Sequence, residues 1–256
     1  MASDRFISEK CSETWTNNYA HMYDCRPWSL KPYDHAAVFM NGFNTNEKFI
    51  ITPLPNYCKI NDFIDMIFEQ NVKTIVMPAP ILPKRCDNAF YYWIPSAYPV
   101  KLNLNYATYT YNCVRHDAYS KITVKFQSMD YPEKKCEVLI YEFTNWLANG
   151  LPASIDEFWT LIMDVNTTNG NFIAERETAN PIIVHSDFIG AAGIFCALDI
   201  CIDHWIQMNF VIVKQIVNRV CQGYLTNDIT PRQVIFIVEA VRNLIFLMQS
   251  NTNECM

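Results

Sequence analysis

The stretch PIIVHSDFIGAAGIFCALD (residues 181–199) decides the fold of this 256-residue chain. An apolar run ends at His185, a short loop with two glycines follows, and a helical pattern begins directly after it. A strand, a tight loop and a helix N-terminus, in that order, form a cradle of backbone N–H groups that suits an anion. The loop nevertheless carries the acid Asp187 and no lysine or arginine, so its chemistry disagrees with an anion-binding geometry.

The composition is that of a folded globular protein. Half of the residues are hydrophobic and 18% are charged, which is too apolar for a disordered chain. The formal net charge of −6 disfavours nucleic acid as a partner, and no polybasic run suggests an anionic membrane surface. No apolar run reaches the roughly 20 residues of a membrane span, and residues 1–10 lack a signal core. We therefore expect a soluble, cytoplasmic protein that binds neither nucleic acid nor membranes.

The ten cysteines do not form a metal-binding pattern. The sequence contains no Cys-x-x-Cys pair and no Cys/His cluster with zinc-finger spacing. Most of the cysteines, including Cys196 and Cys201, lie in apolar stretches, where a free cysteine behaves as a small hydrophobic residue. We expect reduced cysteines, no metal site and no cofactor.

Strand-like runs dominate the first half of the chain, and helical runs dominate the second. We predict strands at 36–40, 48–52, 73–79, 90–94, 121–127, 137–144 and 181–185, and helices at 61–70, 154–165, 193–206, 211–221 and 231–248. Ile122, Val124 and Phe126 alternate with polar residues, which indicates a half-buried strand, whereas 181–185 has no polar face and suits a central strand. Ser154 with Glu157 forms a capping box, and Thr230 is the expected N-cap of the last helix.

These elements predict an α/β (α+β) fold in which helices flank a twisted mixed sheet. No repeat or low-complexity linker divides the chain, so we assign one domain to residues 1–256. Within it, residues 1–22 are expected to form an N-terminal arm and residues 250–256 a C-terminal tail.

With the elements placed, residues 181–199 resemble the signature V-H-C-S-A-G-x-G-R-T-G-T-F-x-A-L-D of the protein tyrosine phosphatases. Five further segments resemble other motifs of that family in the same order, so the likeness covers most of residues 23–245. They are RPWSLKPYDHAAV (26–38), FIITPLPNYCKINDFIDMIFEQNVKTIVM (49–77), RCDNAFYYWIP (85–95), EVLIYEFTNWLANGLP (137–152) and ITPRQVIFIVEAV (229–241). The resemblance implies the family's fold, a single tyrosine-phosphatase-like domain.

The resemblance also implies which positions would carry the family's chemistry. That reaction needs a cysteine thiolate, an arginine that grips the phosphate, an aspartic acid on a mobile loop and a glutamine that positions water. These roles, and that of the tyrosine flanking the substrate ring, fall on Ser186, on Ala191 or Ala192, on Ala148, on Ile229 and on Pro27. The arginine position is ambiguous because this loop is one residue shorter than the family's. A later glutamine, Gln233, is kept.

Every catalytic role is vacant, so we expect a catalytically inactive member, a pseudophosphatase. Its vestigial phosphate loop would consist of His185, Ser186, Asp187, Phe188, Ile189, Gly190 and Gly193. His185 reads as a relict that orients this loop, and Ser186 and Asp187 read as helix caps. Phosphotyrosine binding there is not expected, because the arginine is gone and Asp187 adds a like charge beside a phosphate dianion.

Among short members of the family, the chain looks most like those of the polydnaviruses (bracoviruses) carried by parasitoid wasps. That likeness implies interference with signalling or immunity in the cytoplasm of an infected host, with a divergent cellular pseudophosphatase as the alternative. We expect a decoy or scaffold that binds host proteins, not yet identified, through another surface. A phosphotyrosine-binding substrate trap and an active phosphatase with rewired chemistry are the alternative functions. The sequence leaves the partner, its binding face, the oligomeric state and residual phosphate binding open.

Overall fold

The computed structural model describes residues 25–27, 37–80, 91–94, 100–102, 105–170, 180–185, 190–223 and 229–253. The predictions for residues 1–22 and for residues 186–189, which include Ser186, Asp187, Phe188 and Ile189, lie outside these residues. Pro27 is described in its backbone alone.

Nine strands among the described residues form one mixed sheet, in the order β1-β2-β3-β9-β4-β8-β7-β6-β5. They are β1 Cys25–Pro27, β2 Val38–Met40, β3 Phe49–Thr52, β4 Thr74–Met77, β5 Val100–Lys101, β6 Tyr106–Arg115, β7 Tyr119–Ser128, β8 Lys135–Phe143 and β9 Ile182–His185. Strand β9 runs parallel to both of its neighbours, β3 and β4, and all four of its residues are buried. The prediction of a central strand at 181–185 is therefore confirmed.

Five helices among the described residues cover the two faces of the sheet. They are α1 Ile60–Glu69, α2 Ile155–Thr168, α3 Ala191–Met208, α4 Val213–Gly223 and α5 Pro231–Asn253. Helix α1 packs into one hydrophobic cluster, and α2 to α5 share a second cluster on the opposite face. Neighbouring strand residues such as Ile140 and Tyr141 point into different clusters, as the pleat requires. This is the predicted α/β domain.

Two helix starts carry the capping residues that the sequence indicated. The Ser154 hydroxyl accepts a hydrogen bond from the Glu157 backbone N–H at 3.3 Å. At the start of α5, the Thr230 hydroxyl accepts from the Gln233 N–H at 3.3 Å while the Gln233 side chain accepts from the Thr230 N–H at 2.8 Å. Thr230 and Gln233 thus form a reciprocal capping box. Helix α5 continues to Asn253, so residues 250–253, assigned to a tail, are helical.

Helix α3 is the central helix of the second cluster. Its buried residues include Cys196 and Cys201, which are not disulfide-bonded and pack in the core as expected. Among the described residues, α3 is one helix whose length and composition would allow it to cross a membrane. Because 83% of that stretch is buried inside the fold, it equally fits a core helix.

The strand predicted at 90–94 is wrong in the part that is described, since residues 91–94 form a turn. Consecutive strand residues point to opposite faces, but Tyr92 and Trp93 enter the same hydrophobic cluster, with ring centroids 4.9 Å apart. A turn lets both rings reach one core, and the run of aromatic residues imitates a strand.

The hairpin of β6 and β7 also differs from the prediction. Strand β6, YATYTYNCVR, was not predicted, and a bulge between Thr110 and Asn112 interrupts its register with β7. In β7, Ile122, Val124 and Phe126 are buried as predicted. Thr123 was predicted to face outward but is only 7% exposed, on the face where it pairs with Leu139.

Candidate functional site

The vestigial loop lies where β9 ends and α3 begins. Gly190 is the N-cap of α3 and has a left-handed backbone, with φ of +78°. The first helical residues, Ala191, Ala192 and Gly193, are all buried. The described part of the loop therefore has the strand and helix N-terminus that the sequence predicted.

His185, the last residue of β9, is held by two hydrogen bonds and is 4% exposed. Its Nδ1 lies 3.1 Å from the Thr52 carbonyl oxygen, and its Nε2 lies 2.8 Å from the Tyr92 hydroxyl. A carbonyl can only accept, so in the neutral ring Nδ1 carries the proton and the Tyr92 hydroxyl donates to Nε2. His185 cannot act as a base unless one of these bonds breaks, which agrees with a role in orienting the loop.

Ala191 and Ala192, where the family resemblance predicts the arginine position, bury their methyl groups in the core. Ala191 and Ala192 are each 1% exposed, and Ala192 belongs to the larger hydrophobic cluster. Neither side chain can donate a hydrogen bond to a ligand.

Ile229, at the position of the water-positioning glutamine, packs directly against the first turn of α3. A Cβ atom placed on Gly193 would lie 2.8 Å from the Ile229 side chain, closer than real contacts allow. Gly193 is thus needed here for the close approach of an alkyl side chain. The Ile229 side chain itself occupies the space beside Gly193.

Gln233 joins three elements at the site and is 3% exposed. Its Oε1 caps the start of α5, and its Nε2 donates to the Gly150 carbonyl oxygen at 3.0 Å. A Cβ on Gly190 would clash with the same Oε1. Gln233 therefore lies against the N-terminus of α3 and ties the loop around Gly150 to α5.

The loop of residues 146–152, where the family resemblance predicts the general-acid position, is closed on itself. Trp146 forms a bridge to Pro152, and the Leu147 N–H donates to the Leu151 carbonyl at 2.8 Å. The Trp146 ring packs edge-on against Phe158, with ring centroids 6.0 Å apart. Ala148 is exposed at the tip of this loop, so the acid position presents a methyl group to solvent.

Few groups at this site can ionise. In residues 146–152, 185, 190–193 and 229–233, the titratable side chains are the buried His185 and the exposed Arg232. No group of three or more His, Cys, Asp or Glu side chains within the described part of the chain could hold a metal. These described residues, which do not include 186–189, thus contain no carboxylate, no cysteine and no buried lysine or arginine.

Sequence reasoning missed two residues that shape the site. Tyr92 was assigned to a strand, although it is the hydrogen-bond partner of His185. Gln233 was noted as kept, but its contact with the loop at Gly150 was not foreseen. The spacing of Thr230 and Gln233 is a capping-box signal, whereas the bond to Gly150 joins residues 83 positions apart and has no local signal.

Residues 21–243 match the family model of the protein-tyrosine phosphatases, and the chain belongs to that family. It is 23% identical over 253 residues to the probable tyrosine phosphatase protein N1 of Microplitis demolitor bracovirus (isolate Webb), covering 93% of this chain and 79% of that protein. The probable tyrosine phosphatase protein J4 of the same virus is 24% identical over 215 residues, with coverages of 81% and 70%. The human tyrosine-protein phosphatase non-receptor type 9 is 27% identical over 214 residues, 80% of this chain but 36% of that protein.

Proposed function

We propose that this chain is a catalytically inactive tyrosine-phosphatase-like protein, a pseudophosphatase, and that it acts as a protein-binding decoy or scaffold. One observation carries the proposal. The general-acid, arginine and water-positioning positions hold Ala148, Ala191 or Ala192, and Ile229, and none of these side chains can move a proton or bind an oxyanion.

The size of each loss supports inactivity. A general acid contributes about 10²–10⁴-fold to a reaction rate, and Ala148 supplies no proton. The nucleophile position holds Ser186, and a serine needs an adjacent base to become a useful nucleophile. Both nitrogens of His185 already have partners, so the nearest imidazole in the sequence is not available as that base.

The bracovirus relatives support the setting of this proposal. Two proteins of Microplitis demolitor bracovirus match most of this chain at 23% and 24% identity. We infer that the chain works in the cytoplasm of a host cell, where it interferes with signalling or immunity by binding host proteins. Its binding surface then differs from the vestigial phosphate loop.

Hydrolysis of a phosphotyrosine peptide and of p-nitrophenyl phosphate tests inactivity. We expect the wild-type chain to release phosphate no faster than its Ser186→Ala variant does. Turnover above that of the variant would show an active enzyme with rewired chemistry and would overturn the proposal.

Isothermal titration with a phosphotyrosine peptide tests the mode of binding. We expect no heat of binding at micromolar peptide, because the described loop residues offer no cation to a dianion. Micromolar affinity that disappears in the Ser186→Ala variant would instead favour a substrate trap. Affinity capture from host-cell lysate with and without pervanadate is the companion measurement, and we expect the same partners in both.

A further inference from the structure

Strands β6, β7 and β8 form a groove away from the vestigial loop. Its volume is about 550 Å³, and it is lined by Tyr109, Lys125, Lys135, Cys136 and Glu137. This volume lies in the range of ordinary ligand sites, which run from about 300 to 1,000 Å³. The groove is lined by charged and aromatic side chains, and none of the family motifs quoted above accounts for it.

The sheet register brings four of these side chains, all except Cys136, together on one face. Tyr109 pairs with Lys125, and Lys125 pairs with Glu137, so the three residues form a row across three strands. Lys135 stands opposite Gln127 in the next row on the same face. Lys125 and Lys135 are therefore diagonal neighbours, close enough for long side chains to reach one ligand.

The lysines around this groove differ in their partners. On the same face, Lys121 lies 3.2 Å from the Asp164 carboxylate. Lys134 lies 3.7 Å from the Asp65 carboxylate, but it packs on Phe68 of α1, on the opposite face. Within the part of the chain that the structure describes, neither Lys125 nor Lys135 has a carboxylate within 4.0 Å. Glu137 stands opposite Lys125 in the register, so the two ammonium groups share one neighbouring carboxylate that lies beyond ion-pair distance.

The rest of the lining fits an anionic group with an apolar body. The Lys125 ammonium lies 5.9 Å from the centre of the Tyr109 ring, so a half-buried aromatic face adjoins the cation. Cys136 lies between Lys135 and Glu137 on β8, so its side chain points to the opposite face, where it packs against the other hydrophobic cluster. Glu137 is the one acid in the lining, and it is outnumbered by the two lysines.

We propose that this groove binds an acidic peptide segment of a partner protein, whose carboxylates lie between Lys125 and Lys135 and whose apolar side chain packs on Tyr109. The inference rests on the proposed function, since it names the surface through which the scaffold holds its partner. The chain carries a net charge of −6, so an acidic segment is favoured where lysines outnumber acids, as they do in this lining.

Fluorescence anisotropy of a labelled acidic decapeptide, made of glutamate and alanine with one central leucine, tests this proposal. The wild-type chain should bind it at low salt, and about 0.5 M salt should weaken the binding, because ammonium–carboxylate contacts at a surface are screened. The Lys125→Met/Lys135→Met variant should weaken binding by about tenfold or more, since two charge-assisted hydrogen bonds are lost. Glu137→Gln should tighten binding severalfold by removing a like charge.

Lys214→Met provides the matched control, because Lys214 is an exposed lysine on α4, outside the groove. That variant should bind the decapeptide as the wild type does, and all variants should keep the wild-type melting temperature. Equal binding by the wild type and the double lysine variant, or no binding by the wild type at low salt, would overturn the proposal that this groove binds an acidic peptide. Phosphatase turnover would overturn the proposed function instead, so the two failures are distinguishable.

Discussion

The first turn of α3 and the middle of the same helix differ in the side chains that they bury. At its N-terminus, Ala191 and Ala192 are buried without any polar partner of their side chains, and the alkyl group of Ile229 packs against Gly193. Further along, in the middle of the helix, Asp199 and Asp203 are also buried, yet both accept hydrogen bonds from Lys48, at 2.5 Å and 3.0 Å. The described residues at the start of α3 are thus uncharged, whereas the middle of the helix contributes to a buried group of three ionisable side chains.

The buried ionisable side chains in the middle of α3 have hydrogen-bond partners within the fold. The Asn166 side chain donates to the second oxygen of Asp199 at 2.5 Å and to the Ile162 carbonyl at 2.9 Å. Gly42 makes room for the lysine, since a Cβ there would lie 2.6 Å from the Lys48 side chain. Burial alone would lower the pKa of Lys48, but the two carboxylates outweigh it and raise the pKa above its ordinary value. Lys48 is therefore an ammonium ion.

The difference between these two parts of α3 shows where this chain has kept charged side chains. In the core cluster, the counter-charge is part of the fold, so the cost of desolvation is offset by fixed hydrogen bonds. At the vestigial loop, the counter-charge of the family's arginine would be a phosphate that comes and goes. We infer that charged side chains were retained where folding needs them and lost where only the binding of a ligand would need them.

The largest expected effect follows from breaking the buried cluster. Asp199→Ala should lower the free energy of unfolding by about 3–5 kcal/mol, because it leaves Lys48 with one carboxylate and removes the acceptor of Asn166. Urea unfolding followed by circular dichroism measures this loss.

A triple variant, Lys48→Met/Asp199→Asn/Asp203→Leu, provides the control for that measurement. Removing all three charges together leaves no unpaired buried ion, so this variant should be more stable than Asp199→Ala. A triple variant less stable than the single one would show that packing, not charge pairing, sets the cost.

Burial and pairing also explain what the sequence could and could not predict. Residues 181–185 have no polar face, so a central strand followed by a loop and a helix was readable directly from the sequence. The Thr230–Gln233 spacing likewise predicted the start of α5. The cluster of Lys48 and Asp199 joins residues 151 positions apart, and no local pattern marks such a pair.

The candidate site shows the same division. Alignment to the family motifs identified Ala148, Ala191, Ala192 and Ile229 as the positions to inspect, and the structure brings Ile229 against the first turn of α3. It could not identify which side chains fill the space that those replacements leave. Nor could it identify the contact of Gln233 with Gly150, which depends on the tertiary fold.

Replacing Gln233, which packs against Gly190 at the start of α3, should have an intermediate effect on the free energy of unfolding. Gln233→Ala removes a capping partner of α5 and the hydrogen bond to Gly150, so we expect a loss of about 1–2 kcal/mol in the free energy of unfolding. Hydrogen exchange of the amides in residues 146–152 should also become faster. Gln222→Ala, an exposed glutamine on α4, is the control and should change neither quantity.

The smallest expected effect on stability comes from a partly exposed ion pair, that of Lys121 and Asp164. Asp164 accepts hydrogen bonds from Lys121 at 3.2 Å and from the Tyr119 hydroxyl at 3.0 Å, and its side chain is 26% exposed. Partial burial alone would raise the pKa of Asp164, but these two donors outweigh it and hold the pKa below its ordinary value of 3.8.

The sign of the pH dependence follows from that direction. A depressed pKa in the folded state adds stability that is fully present above the unfolded-state pKa and is lost as the pH falls through the folded-state value. Asp164→Asn should therefore be slightly less stable than the wild type at pH 7, by well under about 1 kcal/mol because solvent screens the pair. The two proteins should converge below the ordinary pKa of aspartate. A constant difference down to the acid transition would mean that Asp164 acts through its shape rather than its charge.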